Sequence, residues 1–298
     1  MVDDTTGSLD ELLAALVDQT APPDSFELVI VDASSTGRFA TLAGSRHLTT
    51  RVVSADPTTG HGECRDIAWR TSRGRAVAYL DAAFVPNSGW VTVLAGATAR
   101  GRRLVSGRFL RREDVELSLT PPYRELWRGG PEFPLVTSRQ LAVLRSDLEA
   151  VGGFGDAEKD PDLSDLSLAV RLVASGVDPF RTREAVAFVP LDEQPQDRVA
   201  RVRAASRVLA DHPRARARLL LGGVFWQRRH LEAALLVLGL GLAAKDRRAA
   251  LLALPWAHER TCLTPRSSGR LRRYLVLPGV LAADVAETTV TLAERLRP

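Results

Sequence analysis

Residues 60–90 read GHGECRDIAWRTSRGRAVAYLDAAFVPNSGW, and the fold turns on them. A polar, helix-compatible run from Glu63 to Ser72 meets a glycine turn at Gly74, and a short apolar strand, Ala76 to Leu80, then ends at one carboxylate, Asp81. In an open α/β sheet, ligands bind outside the carboxyl ends of the strands, which makes Asp81 a candidate ligand-binding group. Aspartate also favours turn starts, and these residues alone leave both readings open.

Upstream, Ser8 is an expected N-cap with Glu11 as its capping-box partner, and Leu9, Leu12, Leu13, Leu16 and Val17 follow helical spacing. Pro22-Pro23 ends that helix. Phe26 to Asp32 is an expected buried strand that also finishes on a carboxylate, and Ala33 to Gly37 is a loop of small residues. A second strand, Arg51 to Ser54, leads through the loop 56–62 into the stretch quoted above. Strand and helix alternate up to Leu80, which predicts a doubly wound, mostly parallel α/β sheet with helices on both faces.

Downstream, a helix is expected from Trp90 and a strand over Leu104–Leu110. Arg108, Arg111 and Arg112 either face phosphates, which arginine binds bidentately, or lie on the surface. Residues 121–130 form an expected ordered loop whose Trp127 either stacks on a sugar or packs in the core. After Pro190 the pattern becomes helical: a polar helix over Arg198–Ala210, apolar segments over Leu231–Ala244 and Ala249–Trp256, and a last helix over Leu275–Leu296. The expected division is a domain over 1–195 and a helical C-terminal region over 196–298.

The chain has 298 residues, 45% of them hydrophobic, enough for a sizeable core. Lysine occurs only at 159 and 245, so nearly all of the 40 basic residues are arginine. The net charge of +4 is small, and acids and bases are mixed along the chain. Composition therefore gives no reason to expect a nucleic-acid partner. Cys64 and Cys262 have no metal-ligand spacing and are expected to be free thiols. The acidic start lacks the basic and apolar parts of a signal peptide, and no apolar run reaches membrane-spanning length, so a cytoplasmic chain is expected.

The order of these features resembles glycosyltransferase family 2, whose catalytic domain has the GT-A fold. Gln19 followed by Phe26–Asp32 resembles the family's "Q…FEVIVVDDGSTD", and Cys64-Arg65-Asp66-Ile67-Ala68 resembles "ARNIG". Tyr79 to Pro86 resembles "FLDDDDVP", Leu144 to Phe154 resembles "RR..LEAVGGFDE", and Ser164 to Leu172 resembles "EDLDLGLRL". Each segment is loose alone; together, in this order over residues 9–190, they are specific.

The resemblance implies transfer of a single sugar, with inversion, from a nucleotide-diphosphate donor to a cell-envelope glycan or lipid-linked acceptor. It implies Asp32, Arg65 and Asp81 as donor-binding residues, Asp81 as the residue nearest a divalent cation (Mg or Mn), and Asp165 as the general base. A leaving diphosphate needs positive charge nearby, and a sugar hydroxyl needs a carboxylate within hydrogen-bond reach to become a nucleophile. Ser164 or Asp165 also suits a helix N-cap. Apolar helices flanked by arginine and tryptophan, as over 214–256, suit a membrane interface. Peripheral attachment to the inner face of the cell membrane is therefore expected.

Departures from the pattern carry their own expectation. Ala83 replaces the second acid of the Asp-x-Asp motif, Ser164 replaces the acid before the base, and the family's first strand, "VSVVIPTYN", has no counterpart before the opening helix. The acidic loop with Asp156, Glu158, Asp160 and Asp162 offers substitute metal ligands or is simply a solvated charge run. The alternative reading is a catalytically degenerate GT-A-like protein that binds or scaffolds at the membrane.

Overall fold

The structure is a computed structural model that describes residues 1–3, 6, 9–37, 39–42, 48–111, 140–155, 161–189, 198–225, 228–262 and 270–296. Ser8, Arg112, Trp127 and the acidic positions 156, 158 and 160 lie outside these residues, so the expectations placed on them are not tested. Two compact units are present, Met1–Val115 with Leu135–Glu193, and Glu116–Pro134 with Gln194–Pro298.

The first unit opens with α1 (Asp10–Val17), whose Leu13 and Leu16 are buried. Asp10 and Glu11 sit in its first turn, where the helix dipole favours negative charge. Leu9 occupies the N-cap position with no side-chain cap bond. Strand β1 (Glu27–Asp32) pairs in parallel with β2 (Thr49–Ser54), from Glu27 opposite Thr49 to Asp32 opposite Ser54. Ile30 packs toward α1 with Leu13 and Phe39, while Val31 packs on the other face with Cys64 of α2 (His61–Thr71). Successive strand residues point to opposite faces, so helices cover both sides of β1.

The larger sheet has the order β3-β6-β5-β7-β4, built from β3 (Ala76–Leu80), β4 (Val85–Pro86), β5 (Leu104–Arg111), β6 (Gln140–Leu144) and β7 (Pro179–Val189). The α/β class and helix-covered sheet match the sequence expectation. Among the described residues the parallel strand pairs are β1–β2 and β5–β7, with an isolated parallel bridge between Val2 and Asp32, whereas β6 is antiparallel to both of its neighbours and β4 is antiparallel to β7. The strand–helix alternation that suggested parallel strands stops at Leu80, before the segments that return as β5 and β6. Strand β5 shifts register between Ser106 and Arg108. Gly107 allows this close approach: a Cβ there would stand 2.1 Å from Gln140 Nε2, which donates to the Ala185 carbonyl at 2.8 Å.

Helix α3 (Trp90–Ala99) places Trp90, Leu94 and Ala97 against Val105, Ala142 and Ala185. Gln19 joins α1 to this layer. Its Nε2 donates to the Asn87 carbonyl at 2.8 Å and its Oε1 accepts from Val91 N at 2.9 Å. Helices α4 (Arg145–Val151) and α5 (Pro161–Ala174) complete the unit. Pro161 is the first residue of α5, a position where proline's missing N–H costs nothing. Ser164 and Asp165 are therefore interior to the helix, and the N-cap reading of either is corrected.

The second unit holds α6 (Arg198–Ala210), α7 (Pro213–Leu219), α8 (Arg228–Leu242), a 3-10 segment over Arg247–Ala253, α9 (Leu254–Cys262) and α10 (Arg270–Leu296). Ala233, Leu236 and Trp256 form its buried apolar cluster with Leu281. Polar groups are buried with it: His230 Nε2 lies 2.8 Å from Glu287 Oε2, and Trp256 Nε1 donates to Asp284 at 3.1 Å. Among the described residues no helix is long and apolar enough to cross a membrane.

Candidate functional site

Asp32 closes β1 at 2% exposure, committed to the loop after it. Its Oδ1 accepts from the Ser34 N–H at 2.9 Å and the Ser34 hydroxyl at 2.6 Å, and its Oδ2 accepts from Phe39 N at 3.1 Å. Backbone and hydroxyl donors of this kind fix the loop that leaves the strand end. Asp81 follows β3, half-buried, and accepts from Ala83 N at 3.0 Å. This Asx turn is the turn-starting role open from the sequence, and it orients the carboxylate without removing it from solvent.

Asp165 is fully buried, and Arg65 of α2 donates to its Oδ1 through Nη1 at 2.8 Å. The guanidinium lies 5.4 Å from the Phe154 ring centroid, a cation–π distance. Helices α2 and α5 meet closely enough that a Cβ on Gly62 would stand 2.9 Å from Ser164 Oγ. Position 164 is fully buried, so the small serine fits there.

The structure brings Arg65 together with Asp165, and places Arg65 and Asp81 in one electrostatic neighbourhood with His61. Burial first, and then the Arg65 cation, lowers the His61 pKa, while Asp3 and Asp81 oppose the shift. Asp32 makes its bonds within its own strand end and loop.

Sequence reasoning assigned no role to Asp66, yet this buried residue organises the site. Its Oδ1 accepts from Trp69 Nε1 at 2.7 Å and from Phe154 N at 2.8 Å, and its Oδ2 accepts from Gly155 N at 3.1 Å. Gly153, at φ 74°, makes room for this contact, since a Cβ there would stand 2.1 Å from Asp66 Oδ1. Asp66 thereby anchors the glycine loop before α5 to α2, one residue from Arg65. The available signals were its acidity on a helix with buried neighbours and the Gly-Gly-Phe-Gly run at 152–155.

A divalent cation was expected at Asp81. Among the described residues no group of three His, Cys, Asp or Glu side chains could hold a metal ion. Position 83, where the Asp-x-Asp motif has its second acid, is alanine. Hard cations take six or more oxygen ligands, and the donors among the described residues do not make up a resident site.

The family model described as Glycosyl transferase family 2 matches residues 7–148. No curated protein matches the chain. Among solved structures, the mannosyltransferase PcManGT from Pyrobaculum calidifontis in complex with GDP-Man and Mn2+ is similar at 22% identity and a TM-score of 0.55, covering 98% of this chain and 85% of that one. S. aureus TarS is similar at 14% identity and a TM-score of 0.53, covering 98% of this chain and 54% of that chain. The present chain therefore spans about half the length of TarS. At these identities the likeness carries the fold, which is GT-A. Residues 7–148, which hold Asp32 and Asp81 at strand ends and Arg65 of the Arg65–Asp165 pair, are similar to glycosyl transferase family 2.

Proposed function

We propose that this chain transfers a single sugar, with inversion, from a nucleotide-diphosphate donor to a cell-envelope glycan or lipid-linked acceptor. The observation that carries the reading is the Arg65–Asp165 pair, with Arg65 in the electrostatic neighbourhood of Asp81 after β3. In this reading Asp32 and Asp81 bind the nucleoside end of the donor. Arg65 supports the diphosphate, since a guanidinium is a permanent cation whose planar fork matches phosphate oxygens. Asp165 takes the acceptor hydroxyl proton as the oxygen attacks the sugar's anomeric carbon and the nucleoside diphosphate departs. A diphosphate competing for Arg65 loosens its hold on Asp165, so donor binding readies the base.

The acceptor reading draws support from the second unit. Val237, Leu238, Leu240, Leu251 and Leu254 are each more than half exposed. Lys245, Arg247 and Arg248 stand exposed between them in sequence. An apolar surface interleaved with cations suits an anionic membrane surface, where lipid-linked acceptors reside.

Calorimetric titration with UDP, GDP and dTDP, with and without manganese, tests the donor half. Binding of one nucleotide supports the transferase. Absence of binding to all three by folded protein favours the second reading, a degenerate GT-A-like scaffold. The full burial of Asp165 and the alanine at 83 favour that alternative.

A further inference from the structure

Residues 152–155, which follow α4, read Gly-Gly-Phe-Gly. Gly152, Gly153 and Gly155 stand at φ 78°, 74° and 75°, a region that residues with a Cβ rarely adopt. Phe154 carries the one side chain of the run, and it is buried. The loop therefore presents a single ring to the interior.

Charged groups of opposite sign hold the Phe154 backbone at both ends. Its N–H donates to Asp66 of α2 at 2.8 Å, and its carbonyl accepts from Arg171 Nη2 of α5 at 2.8 Å. Arg171 Nη1 also donates to the Val151 carbonyl. Hydrogen bonds with an ionised partner are the stronger kind. The ring is fixed separately, by Tyr79 of β3, whose ring meets it edge to face at 5.2 Å and 81°.

Arg65 lies over this ring, 5.4 Å from its centroid, and reaches Asp165 through Nη1 at 2.8 Å. Helix α2 fixes the Arg65 backbone, but a long arginine side chain keeps much rotamer freedom beyond it. The negative face of an aromatic ring attracts a guanidinium, and a ring held at its backbone and its edge gives that cation a defined place. Groups at a reacting centre keep their geometry when the residues behind them are locked by packing and hydrogen bonds.

We propose that Phe154 is a positioning residue: its ring carries the Arg65 guanidinium against Asp165, while Asp66 and Arg171 fix the backbone on which the ring stands. Its effect on turnover rests on the transferase reading above, and its effect on Arg65 does not.

The full chain with isotope-labelled arginine tests this by nitrogen NMR. A held guanidinium rotates slowly about its Nε–Cζ bond and shows its two Nη signals apart, and Arg65→Lys identifies the Arg65 pair. The parent shows them resolved. Phe154→Leu and Phe154→Met, which fill the space without an aromatic face, merge them, and Phe154→Tyr keeps them apart. Hydrogen exchange at the amides of residues 154 and 155 stays slow in every variant. Merged signals in the parent, or resolved signals in Phe154→Leu and Phe154→Met, overturn the proposal. Fast amide exchange alongside merged signals overturns it too, because the loop and not the ring would then hold Arg65. Sugar transfer is read separately. In Phe154→Leu kcat falls by about tenfold or more while the acceptor KM stays within about twofold, the mark of an interaction made in the transition state. Phe154→Leu turning over at the parent's kcat overturns the positioning role. A parent chain without transfer overturns the transferase reading and leaves the spectrum to decide on Phe154.

Discussion

Arg65 and Asp165 stand 100 residues apart in sequence and 2.8 Å apart in space, the carboxylate fully buried and the guanidinium nearly so. A buried pair of this kind returns little net stability when intact, because desolvation offsets the attraction, but it is costly to break on one side. That asymmetry gives the pair two separable readouts.

Arg65→Ala leaves Asp165 buried without its cation and costs about 3–5 kcal/mol of stability, measured by denaturant unfolding. Asp165→Asn keeps an acceptor for Arg65 and the same shape, so it folds with a smaller loss. It abolishes sugar transfer. Normal turnover by Asp165→Asn removes the residue from the base role.

Asp66 satisfies two backbone donors and the Trp69 indole. Asp66→Ala strands all three, at about 1–3 kcal/mol for each buried donor left unpaired. Gly153→Ala brings a methyl group into the same carboxylate at a positive-φ position and is expected to destabilise comparably. Melting curves that leave either variant within 1 °C of the parent would show that the loop before α5 is held by other contacts.

His61 is the first residue of α2, one turn before Arg65. Its pKa is lowered in the folded state, so the unfolded chain binds the proton first as pH falls. Its contribution to stability is complete above the unfolded value of about 6.5 and is lost as pH drops through that value toward the folded one. His61→Gln removes this term, so the fall in melting temperature between pH 7.5 and pH 5.5 is shallower in the variant. Parallel profiles for the two proteins would count against it.

Sedimentation with anionic vesicles at low salt tests the exposed leucines. The parent chain is expected to pellet, and Leu238→Glu combined with Leu251→Glu to stay in solution. Both positions are more than half exposed, so the fold tolerates the change. A parent chain that remains soluble with vesicles argues for a covered helical hairpin.

Local patterns in the sequence carried most elements. The strand at Ala76–Leu80 and the helix at Arg198–Ala210 appear with the bounds their residues suggested. What could not be read was long-range. Asp66 finds Phe154 and Gly155 from 88 and 89 residues away, and no local rule points across that distance. Ser164 and Asp165 suit an N-cap by residue type, yet the helix begins at Pro161, itself a legible first-turn residue. The antiparallel position of β6 escaped for the reason Asp66 did: pairing partners are chosen by the assembled sheet and not by the strand's own residues.

Gln19, an exposed-looking amide in the sequence, spans three backbone groups around the end of α1 and the start of α3. Because β1 and β2 share no ladder with the five-stranded sheet among the described residues, the amide works as a rivet between two plates. The Thr20 N–H, which donates to the Ser88 carbonyl at 2.8 Å, is a second rivet beside it.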